Sequence, residues 1–427
     1  MAVTRPLRGL RYDPARTAVA RALAPPYDVI DEAQRERLYG LGPHNIVRVD
    51  FGRDEPGDIP GERDRYTRAR DLLSAWSLAG VLRRDPRPAA YVHDHGFQDA
   101  VGWTLNRRGV IVGVRALPWD QADVLPHERT LRGPKADRLA LMRATRTQTS
   151  AVLLIWDRAP GLAELLAAAC AADPDLSAET DGEVAAENHR LWVVDNPTVV
   201  AEVVEALAPA RLYMADGHHR FETAAAYAAE RRAAELPASP EAGFAWVLAE
   251  LCAADDPALL VLPTHRLVLP RPGVPNSLAE LMARLPARWR VEPTPDLAAA
   301  VAAAAAQRDR AHALAVAGSD GAALLLAGRE PSASPRARLD VSVVEDEILG
   351  RACGLDAASI AAGALDFARE VEDAGRAVAE GRAGLALCLN GCTTREMIEV
   401  SDAGEQMPQK STYFSPKVPT GLVLSPL

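Results

Sequence analysis

The amino-acid sequence predicts a mixed α/β protein, α+β in the arrangement of its elements, with two domains. A chain of 427 residues is longer than most single domains. Apolar runs of strand length alternate with segments of helical periodicity. A proline-rich segment, LPRPGVPNS, interrupts this pattern near residue 276. We therefore expect a larger N-terminal domain over residues 1–270 and a smaller α/β domain over residues 277–427 that ends in an extended, proline-rich tail.

Strand and helix patterns follow one another through the first hundred residues. The segments PLRGLRYD and NIVRVDFG are predicted strands, the second because apolar and polar residues alternate in it. Residues 62–82 are predicted to form an amphipathic helix. AAYVHDHGF and GVIVGVRAL are predicted to form a pair of strands.

The centre of the chain contains the clearest change from strand to helix. RLYMAD is a predicted strand, and FETAAAYAAERRAAE is a predicted helix because it is rich in alanine and other strong helix formers. LLVLPTHRLVL is predicted as a further strand. The segment EQMPQKSTYFSPKVPTGLVL near the C-terminus is polar and interrupted by prolines, which predicts an extended tail.

Composition limits the classes of function. Apolar residues make up 48% of the chain and charged residues 25%, as in a soluble globular protein. The net charge of −10 and the pI of about 5.5 argue against nucleic acid as a partner. We find neither a signal-peptide pattern nor an apolar run long enough to cross a membrane, and we expect a cytoplasmic protein without a membrane partner. The five scattered cysteines predict reduced, core-filling thiols.

Lysine is rare in this chain. Only three of the 48 basic residues are lysines, namely Lys135, Lys410 and Lys417. Arginine and lysine differ in shape and hydration, so a lysine retained in an arginine-rich chain is a mild indication that a compact ammonium is needed there. All three lysines also lie in segments whose other residues look like functional motifs.

The stretch ADGHHR, where the predicted strand gives way to the predicted helix, is the strongest motif. Asp216 and Gly217 precede His218, His219 and Arg220. The first N–H groups of a helix have no acceptor within it, and the helix dipole is positive there. Glycine allows a tight turn, arginine binds phosphate oxygens in a fork, and histidine donates hydrogen bonds or moves a proton. The pattern predicts a phosphate or anion site; the alternative is a structural turn whose histidines cap the helix.

A second charged segment, HERTLRGPKADRL, lies at the start of another predicted helix. Glu128 could act there as a general base, and Lys135 could meet a phosphate as a point charge. The alternative is an exposed loop with ordinary surface ion pairs.

Further polar residues occur in short motifs. Tyr27 and Asp28 follow two prolines in APPYDVI, where the tyrosine could stack on a base and the aspartate could bind Mg²⁺ or a ribose. His265 and Arg266 interrupt an apolar strand in LPTHRL, where they could line the same pocket as the other motifs or form a core ion pair. Lys410 lies in the polar tail and could contribute a phosphate contact.

These motifs resemble those of a large prokaryotic family of unknown function that has an Asp-Gly-His-His-Arg signature. The resemblance covers nearly the whole chain and includes, in order, APPYDVI, LPHERTLRGPKADRL, ADGHHRFETA, LPTHRL, LDVSVVEDEIL and MPQKSTYFSPKVPTGLV. The Gly-x-x-Arg turn at Gly217 and Arg220 is also similar to that of the ParB/sulfiredoxin superfamily, which includes the archaeal ADP-dependent serine kinase. In that superfamily the turn precedes a helix and binds nucleotide phosphates.

The resemblance implies a ParB/sulfiredoxin-like N-terminal core and a nucleotide ligand, either ATP or ADP, with CTP as a further candidate. Sulfiredoxins have a catalytic cysteine after the shared glycine, whereas this chain has His218, so reduction of sulfinic acids is disfavoured. We see no helical DNA-binding module of the ParB kind.

We therefore predict a nucleotide-dependent phosphotransferase that acts on a small hydroxyl metabolite such as serine, with Mg²⁺ bridging the phosphates. The predicted site residues are Glu128, Asp216 and His218 for catalysis, Gly217, His219, Arg220, Lys135 and Lys410 for nucleotide binding, and Asp216 and Asp28 for the metal ion.

Two other functions stay open from the sequence. One is a non-catalytic nucleotide-binding regulator in which the nucleotide orders the tail. The other is a metal-dependent phosphoester hydrolase that uses the histidine pair. The expected partners are a nucleotide and a small hydroxyl metabolite, and a homodimer is left open.

Overall fold

The computed structural model describes residues 2–128, 133–182, 184–234, 239 and 241–427. The chain divides into two compact units. The first contains Met1–Pro126, Thr130–Leu260 and Pro416–Leu427, and the second contains His127–Arg129 and Val261–Ser415. This division lies earlier in the chain than the predicted break between residues 270 and 277, and it assigns the last segment of the tail to the first unit.

The strands, in chain order, are β1 (Thr4–Arg5), β2 (Leu10–Tyr12), β3 (Leu82–Arg84), β4 (Ala90–Gln98), β5 (Thr104–Arg115), β6 (Val124–Leu125), β7 (Thr147–Gln148), β8 (Val152–Asp157), β9 (Leu176–Asp181), β10 (Ala186–Val194), β11 (Arg211–Asp216), β12 (Trp246–Ala253), β13 (Leu260–Leu262), β14 (His265–Val268), β15 (Arg290–Thr294), β16 (Ala311–Gly318), β17 (Gly321–Gly328), β18 (Leu365–Ala368), β19 (Leu385–Leu389), β20 (Tyr413–Ser415) and β21 (Ser425–Pro426).

The α-helices are α1 (Glu32–Leu41), α2 (Val47–Asp50), α3 (Arg65–Leu78), α4 (Gly133–Thr145), α5 (Leu162–Ala169), α6 (Pro197–Leu207), α7 (His218–Ala234), α8 (Leu278–Met282), α9 (Leu297–Ala306), α10 (Asp340–Val343), α11 (Ala357–Ser359), α12 (Val371–Ala379) and α13 (Thr394–Asp402). Short 3₁₀ turns and the π-helical segments Val344–Ala352 and Ile360–Ala364 complete the described helices.

A mixed sheet forms the centre of the first unit. Its strands follow the order β6-β11-β8-β12-β5-β4-β10-β9, and β1 pairs with β5. Two of its contacts are parallel, β11 with β6 and β12 with β8, and the others are antiparallel. Strand β8 (VLLIWD) is buried over its first five residues, as expected for an apolar run covered on both faces.

Helices α3, α4 and α7 of the first unit pack against one another, and α7 also contacts β8 and β12. The buried face of α7 combines the large residues Phe221 and Tyr227 with alanines, and the alanines permit a close approach to the sheet. This helix and the strand before it agree with the prediction made from RLYMAD and FETAAAYAAERRAAE.

The prediction of a strand for NIVRVDFG is wrong, because this segment contains helix α2. The Oδ1 atom of Asn45 accepts a hydrogen bond from the N–H of Val47, and its side-chain nitrogen donates to the carbonyls of Arg21 and Leu23. The side chain of Asn45 thus gives the backbone a local partner that favours a helix start over a sheet ladder. Alternation alone did not reveal this buried cap.

Two other predicted strands are interrupted. Within PLRGLRYD the named strand is the short β2, and before it the N–H of Gly9 donates to the hydroxyl of Tyr91 at 2.7 Å instead of to a ladder. LLVLPTHRLVL is divided into β13 and β14 around Pro263, which has no N–H to donate.

The second unit is built on a sheet with the order β15-β17-β16-β19-β14-β18, in which neighbouring strands are antiparallel. Its core contains many alanines from α9, α12 and the sheet. This unit confirms the prediction of a second, smaller α/β domain. Its described cysteines, Cys353, Cys388 and Cys392, are buried free thiols.

Length and apolar composition together would be needed for a helix to cross a lipid bilayer, and none of the described helices has both.

Replacement of Asn45 by alanine should lower the free energy of unfolding by about 2–4 kcal/mol, because two buried carbonyls and one N–H lose their partner. The control is Asn196→Ala at the N-terminus of α6, where the side chain accepts one exposed hydrogen bond and the expected loss is about 1 kcal/mol. Urea denaturation measures both values. Equal losses in the two variants would contradict the role assigned to Asn45.

Candidate functional site

The candidate site begins at the turn that joins β11 to α7. Asp216 ends the strand, Gly217 has a φ of 95°, and His218 begins the helix. A Cβ atom at Gly217 would lie 3.0 Å from Nε of Arg220 and 3.0 Å from Cγ1 of Val152. Both the backbone conformation and the space therefore require glycine, which explains this member of the motif.

The carboxylate of Asp216 lies between two cations. Nη2 of Arg220 donates to its Oδ2 atom at 2.6 Å, and the ammonium of Lys417 bonds to its Oδ1 atom. Only 15% of the Asp216 side chain, 8% of Arg220 and 11% of Lys417 are exposed. The three charges thus form a largely buried ion cluster at the N-terminus of α7.

This cluster changes the acidity of Asp216. Burial alone would raise its pKa, but the charges of Lys417 and Arg220 outweigh burial and hold the pKa below the ordinary value. The carboxylate is therefore ionised at neutral pH and is a weak base. Such a group is suited to orienting a donor or a cation, and less suited to removing a proton from a hydroxyl.

Arg220 is already engaged by the protein. Its Nη1 atom donates to Oγ of Ser150 at 2.7 Å and to the carbonyl of Ala151, while Nη2 binds Asp216. Of the three guanidinium nitrogens of Arg220, Nε is the one without a hydrogen-bond partner among the described residues. The arginine predicted to bind phosphate thus also fixes the segment that leads into β8.

A second charged group lies beside the first. Nη1 of Arg138 donates to Oδ1 of Asp50 at 3.3 Å, and the hydroxyl of Thr149 donates to the same oxygen at 2.6 Å. The Arg138 guanidinium also lies 4.0 Å from the ring centroid of Tyr27, a cation–π contact. The other carboxylate oxygen of Asp50, Oδ2, is buried and has no hydrogen-bond partner among the described residues.

Arg220 of the first group and Asp50, Arg138 and Thr149 of the second line one cleft of the first unit, whose empty volume of about 420 Å³ includes space open to solvent. Its walls consist of two arginines, a carboxylate, several hydroxyl and amide groups, and three apolar side chains: Asp50, Arg138, Leu141, Met142, Thr147, Gln148, Thr149, Ser150, Val152, Arg220 and Thr223. A cleft with fixed guanidinium groups and many hydroxyls is suited to an anionic, hydroxyl-bearing ligand.

Tyr27 and Asp28 belong to the same neighbourhood. The charges of both act on Arg220, and Asp28 is exposed. Burial, with Asp28 adding to it, raises the pKa of Tyr27 to about 12, so its hydroxyl stays protonated at neutral pH. Tyr27 can therefore donate a hydrogen bond, and stacking of its ring on a base stays a prediction.

Lys135, His218 and His219 lie around the start of α7. The ammonium of Lys135 forms an ion pair with Glu222, which also accepts a hydrogen bond from Nε1 of Trp119 at 2.7 Å. The Trp119 ring lies 6.2 Å from the ring of His218. His218 and His219 are half-buried in the first turn of the helix. The roles of all three in ligand binding stay predictions.

The structure places two predicted site residues, Glu128 and Lys410, in the second unit. Glu128 forms a β-bridge with Met407, and Lys410 is exposed with a φ of 56°. Burial lowers the pKa of Arg266, in the same unit, to about 10, although Glu345 and Glu128 act in the opposite direction. Glu128 thus contributes to the electrostatic setting of Arg266.

His265 and Arg266 are both buried, and the roles predicted for them stay predictions. Arg266 donates to the carbonyls of Thr264 and Gln409. It lines a cavity of the second unit together with Arg308 and Arg329. Of these three arginines, Arg266 is the one that the sequence patterns indicated.

Asp50, Thr149 and Ser150 were missed by the sequence reading. Asp50 lies in the segment predicted as a strand, so its carboxylate had no predicted neighbours. Thr149 and Ser150 lie in a short polar stretch, TQTS, directly before a buried strand. Polar residues at such a strand end are the signal that could have indicated them.

Replacement of Asp216 by asparagine should cost about 3–5 kcal/mol of stability, because it leaves Arg220 and Lys417 largely buried without a counter-charge. The matched control is Asp157→Asn at the end of β8, whose pair with the exposed Arg158 contributes at most about 1 kcal/mol. Chemical denaturation at pH 7 measures both. A loss for Asp216→Asn no larger than for the control would refute the ion cluster.

The deficit of Asp216→Asn should also depend on pH. The folded-state pKa of Asp216 lies below the unfolded value of about 3.9, so its contribution is complete above about pH 5 and is lost as the pH falls through the folded value. Urea denaturation of both proteins between pH 3 and 8 should show a constant difference that shrinks only at the acid end. A difference that shrinks between pH 8 and 6 would assign the effect to another group.

Several solved structures resemble the chain distantly. A conserved hypothetical protein from Pyrococcus furiosus is 14% identical, with a TM-score of 0.35, and covers 73% of this chain and 93% of its own. A free serine kinase in complex with AMP is 15% identical, with a TM-score of 0.34, over 72% of this chain and 86% of its own. SbnI with a C-terminal truncation, from Staphylococcus aureus, is 10% identical, with a TM-score of 0.35, over 72% and 84%.

No curated protein matches the sequence. The ParB/sulfiredoxin-like core stays a prediction. Membership of a sequence family is firmer, because the family described as "Protein of unknown function (DUF1015)" matches residues 4–342, well over half of the chain. The chain therefore belongs to the DUF1015 family.

Proposed function

We propose that this protein is a nucleotide-dependent phosphotransferase that acts on a small hydroxyl metabolite, and that the cleft beside the N-terminus of α7 receives the phosphates. The observation that supports this most directly is the set of fixed charges around Asp216: Arg220, Lys417 and Arg138 are cationic, and Asp28 and Asp50 are further carboxylates. Cations that hold phosphate beside carboxylates that hold Mg²⁺ or a hydroxyl are the requirements of phosphoryl transfer.

Phosphate recognition would rest on the first turn of α7. The first N–H groups of this helix have no acceptor within the helix, and its dipole is positive at this end. Gly217 lets the backbone turn closely beside Arg220. Lys417 and Arg138 would add positive charge from the tail and from α4. His218 and His219 would donate hydrogen bonds from the same turn.

The carboxylate oxygens that are available suggest a different magnesium site from the one predicted from the sequence. Both oxygens of Asp216 are taken by Arg220 and Lys417, whereas Oδ2 of Asp50 is buried without a described partner. Mg²⁺ is commonly bound through one or two carboxylates together with substrate phosphates. We therefore assign the ion to Asp50 and the exposed Asp28, where it would neutralise charge on the phosphates. Asp216 would instead position the cations.

The transfer from nucleotide to hydroxyl rests on the resemblance of the turn at Gly217 and Arg220 to that of the ParB/sulfiredoxin superfamily. Serine is the acceptor that this resemblance suggests. The low pKa of Asp216 makes that carboxylate a poor general base, and no other base is assigned within the first unit.

Binding tests the proposal first. ADP, ATP and CTP are titrated with and without Mg²⁺ by calorimetry, and thermal shift provides an independent readout. At least one nucleotide should bind, and Lys417→Gln should weaken it at least tenfold, since loss of one charged hydrogen bond costs about 1.5–3 kcal/mol. The control is Arg143→Gln, which removes an exposed cation paired with Glu230 on α7 and should leave the affinity unchanged.

The assignment of the metal ion has a separate test. Asp50→Asn should reduce the Mg²⁺ dependence of nucleotide binding, whereas Asp54→Asn, which alters a mostly exposed carboxylate nearby in sequence, should not. If no nucleotide binds, or if the Lys417 variant binds as tightly as the parent protein, the phosphate site is refuted.

Turnover decides among the three candidate functions. Release of nucleotide product in the presence of serine and other small alcohols supports the phosphotransferase. Tight binding without turnover supports the regulator, and metal-dependent cleavage of phosphoesters without an acceptor supports the hydrolase.

A further inference from the structure

Three histidines of the first unit have no part in the proposed phosphate site. His93 and His95 lie on β4 and His189 lies on β10, and each is at most 1% exposed. One ring nitrogen from each of the three lies within 4.8 Å of the others. Three buried imidazoles at such short distances require an explanation from chemistry, because polar groups are costly to bury without partners.

The sheet brings the three rings together by its register. His93 and His95 are two residues apart on one strand, so their side chains point to the same face. His189 lies directly opposite His95 in the antiparallel pairing of β10 with β4. The ring centroids of His95 and His189 are 4.4 Å apart. The cluster therefore stands on one face of two adjacent strands.

The nitrogen spacing suits a tetrahedral metal ion. Nε2 of His93 and Nδ1 of His189 are 3.2 Å apart. Two imidazole nitrogens bound to Zn²⁺ at the usual bond length, in tetrahedral geometry, are about 3.3 Å apart.

Each ring also has an oxygen partner on its other nitrogen. Glu250 lies 2.9 Å from Nδ1 of His93, Thr180 lies 3.0 Å from Nε2 of His189, and Glu187 lies 2.8 Å from Nε2 of His95. Histidines that bind metal ions usually donate the second ring N–H to such a partner, which fixes the ring and its tautomer. The nitrogens that would bind an ion are Nε2 of His93 and Nδ1 of His189, which face each other, and Nδ1 of His95, which faces Arg107.

Gly109 leaves the space that one of these oxygen partners, Glu250, needs to reach His93. It lies on β5, between the strand of Glu250 and the strand of His93. A Cβ atom at this position would lie 2.9 Å from Cγ of Glu250. Glycine thus allows Glu250 to reach across a whole strand to His93.

We propose that His93, His95 and His189 form a three-histidine site for Zn²⁺ or a similar borderline divalent cation. Three protein ligands leave one coordination position for water. Because the ligands are buried, the ion would stabilise the sheet by joining β4 to β10, rather than act on the proposed phosphate substrate.

One cationic side chain, that of Arg107, lies close to the proposed metal site and would repel a bound cation. Nη2 of Arg107 lies 3.4 Å from Nδ1 of His95, and its Nη1 donates to the carbonyl of Pro416 at 2.8 Å. Two carboxylates, Glu250 beside His93 and Glu187 beside His95, border the same cluster and favour an added cation. The competing explanation is a hydrogen-bond network without metal, because Nε2 of His93 and Nδ1 of His189 are also within hydrogen-bond distance of each other.

Metal content tests the site on the full chain, produced without a histidine tag. The protein is stripped with a chelator, incubated with Zn²⁺, desalted and measured by mass spectrometry of the metal. We expect about one Zn²⁺ per chain and a higher melting temperature in the loaded protein. Loading with Co²⁺ should give the intense visible bands of tetrahedral coordination.

The decisive variant is His189→Gln, which should lose the bound metal, the visible bands and the Zn²⁺-dependent rise in melting temperature. The matched control is His312→Gln in the second unit, where a buried histidine on a strand also bonds to a carboxylate, Asp340 at 2.8 Å. This control should keep one Zn²⁺. Equal metal content in the two variants would overturn the proposal.

Thr180→Val provides a second test in case His189→Gln fails to fold. It removes only the hydroxyl beside Nε2 of His189 and should weaken Zn²⁺ binding by about 10–100-fold, the usual effect of losing an outer partner. Less than a tenth of an equivalent of Zn²⁺ in the loaded parent protein would identify the cluster as a hydrogen-bond network only. Neither result depends on the nucleotide experiments.

Discussion

The ion cluster at Asp216 is the interaction on which the first unit depends most. Its carboxylate ends β11, Arg220 projects from the first turn of α7, and Lys417 comes from the C-terminal segment. Through Ser150 and Ala151, Arg220 also holds the approach to β8. Three parts of the chain that are distant in sequence thus meet at one largely buried carboxylate. Since removal of one member leaves the others without compensation, the cluster favours a single arrangement of these segments.

The same cluster links stability to the proposed chemistry. Charges that are fixed before a ligand arrives need little reorganisation when it binds, and this is the main way in which a protein can assist phosphoryl transfer. Arg220 and Arg138 are fixed in this way by Asp216 and by Asp50. The histidine cluster on β4 and β10 is organised by the same rule, since an oxygen atom holds each ring.

Sequence patterns predicted the local elements better than their partners. The glycine, histidine and arginine of the turn were predicted correctly as a strand-to-helix junction, because propensity and periodicity act over short distances. The pairing of Asp216 with Lys417 and the place of Asp50 were not foreseen, since both depend on contacts between distant segments. The helix at Asn45 was missed because a buried side-chain cap overrides alternation. His93 and His95 are visible as His-x-His on a strand, but only the register of the sheet adds His189.

The position of Lys417 has a consequence for folding during synthesis. It is made 201 positions after Asp216, and the whole sheet of the second unit is encoded between the two residues. A nascent chain that has completed β11 and α7 therefore holds Asp216 with Arg220 alone, and its last strand pair, β21 with β7, is missing. Domains usually fold as they emerge from the ribosome. Here the first unit reaches its final charge balance only after the second unit has been synthesised, so a chain that stops before Lys417 lacks one member of the ion cluster.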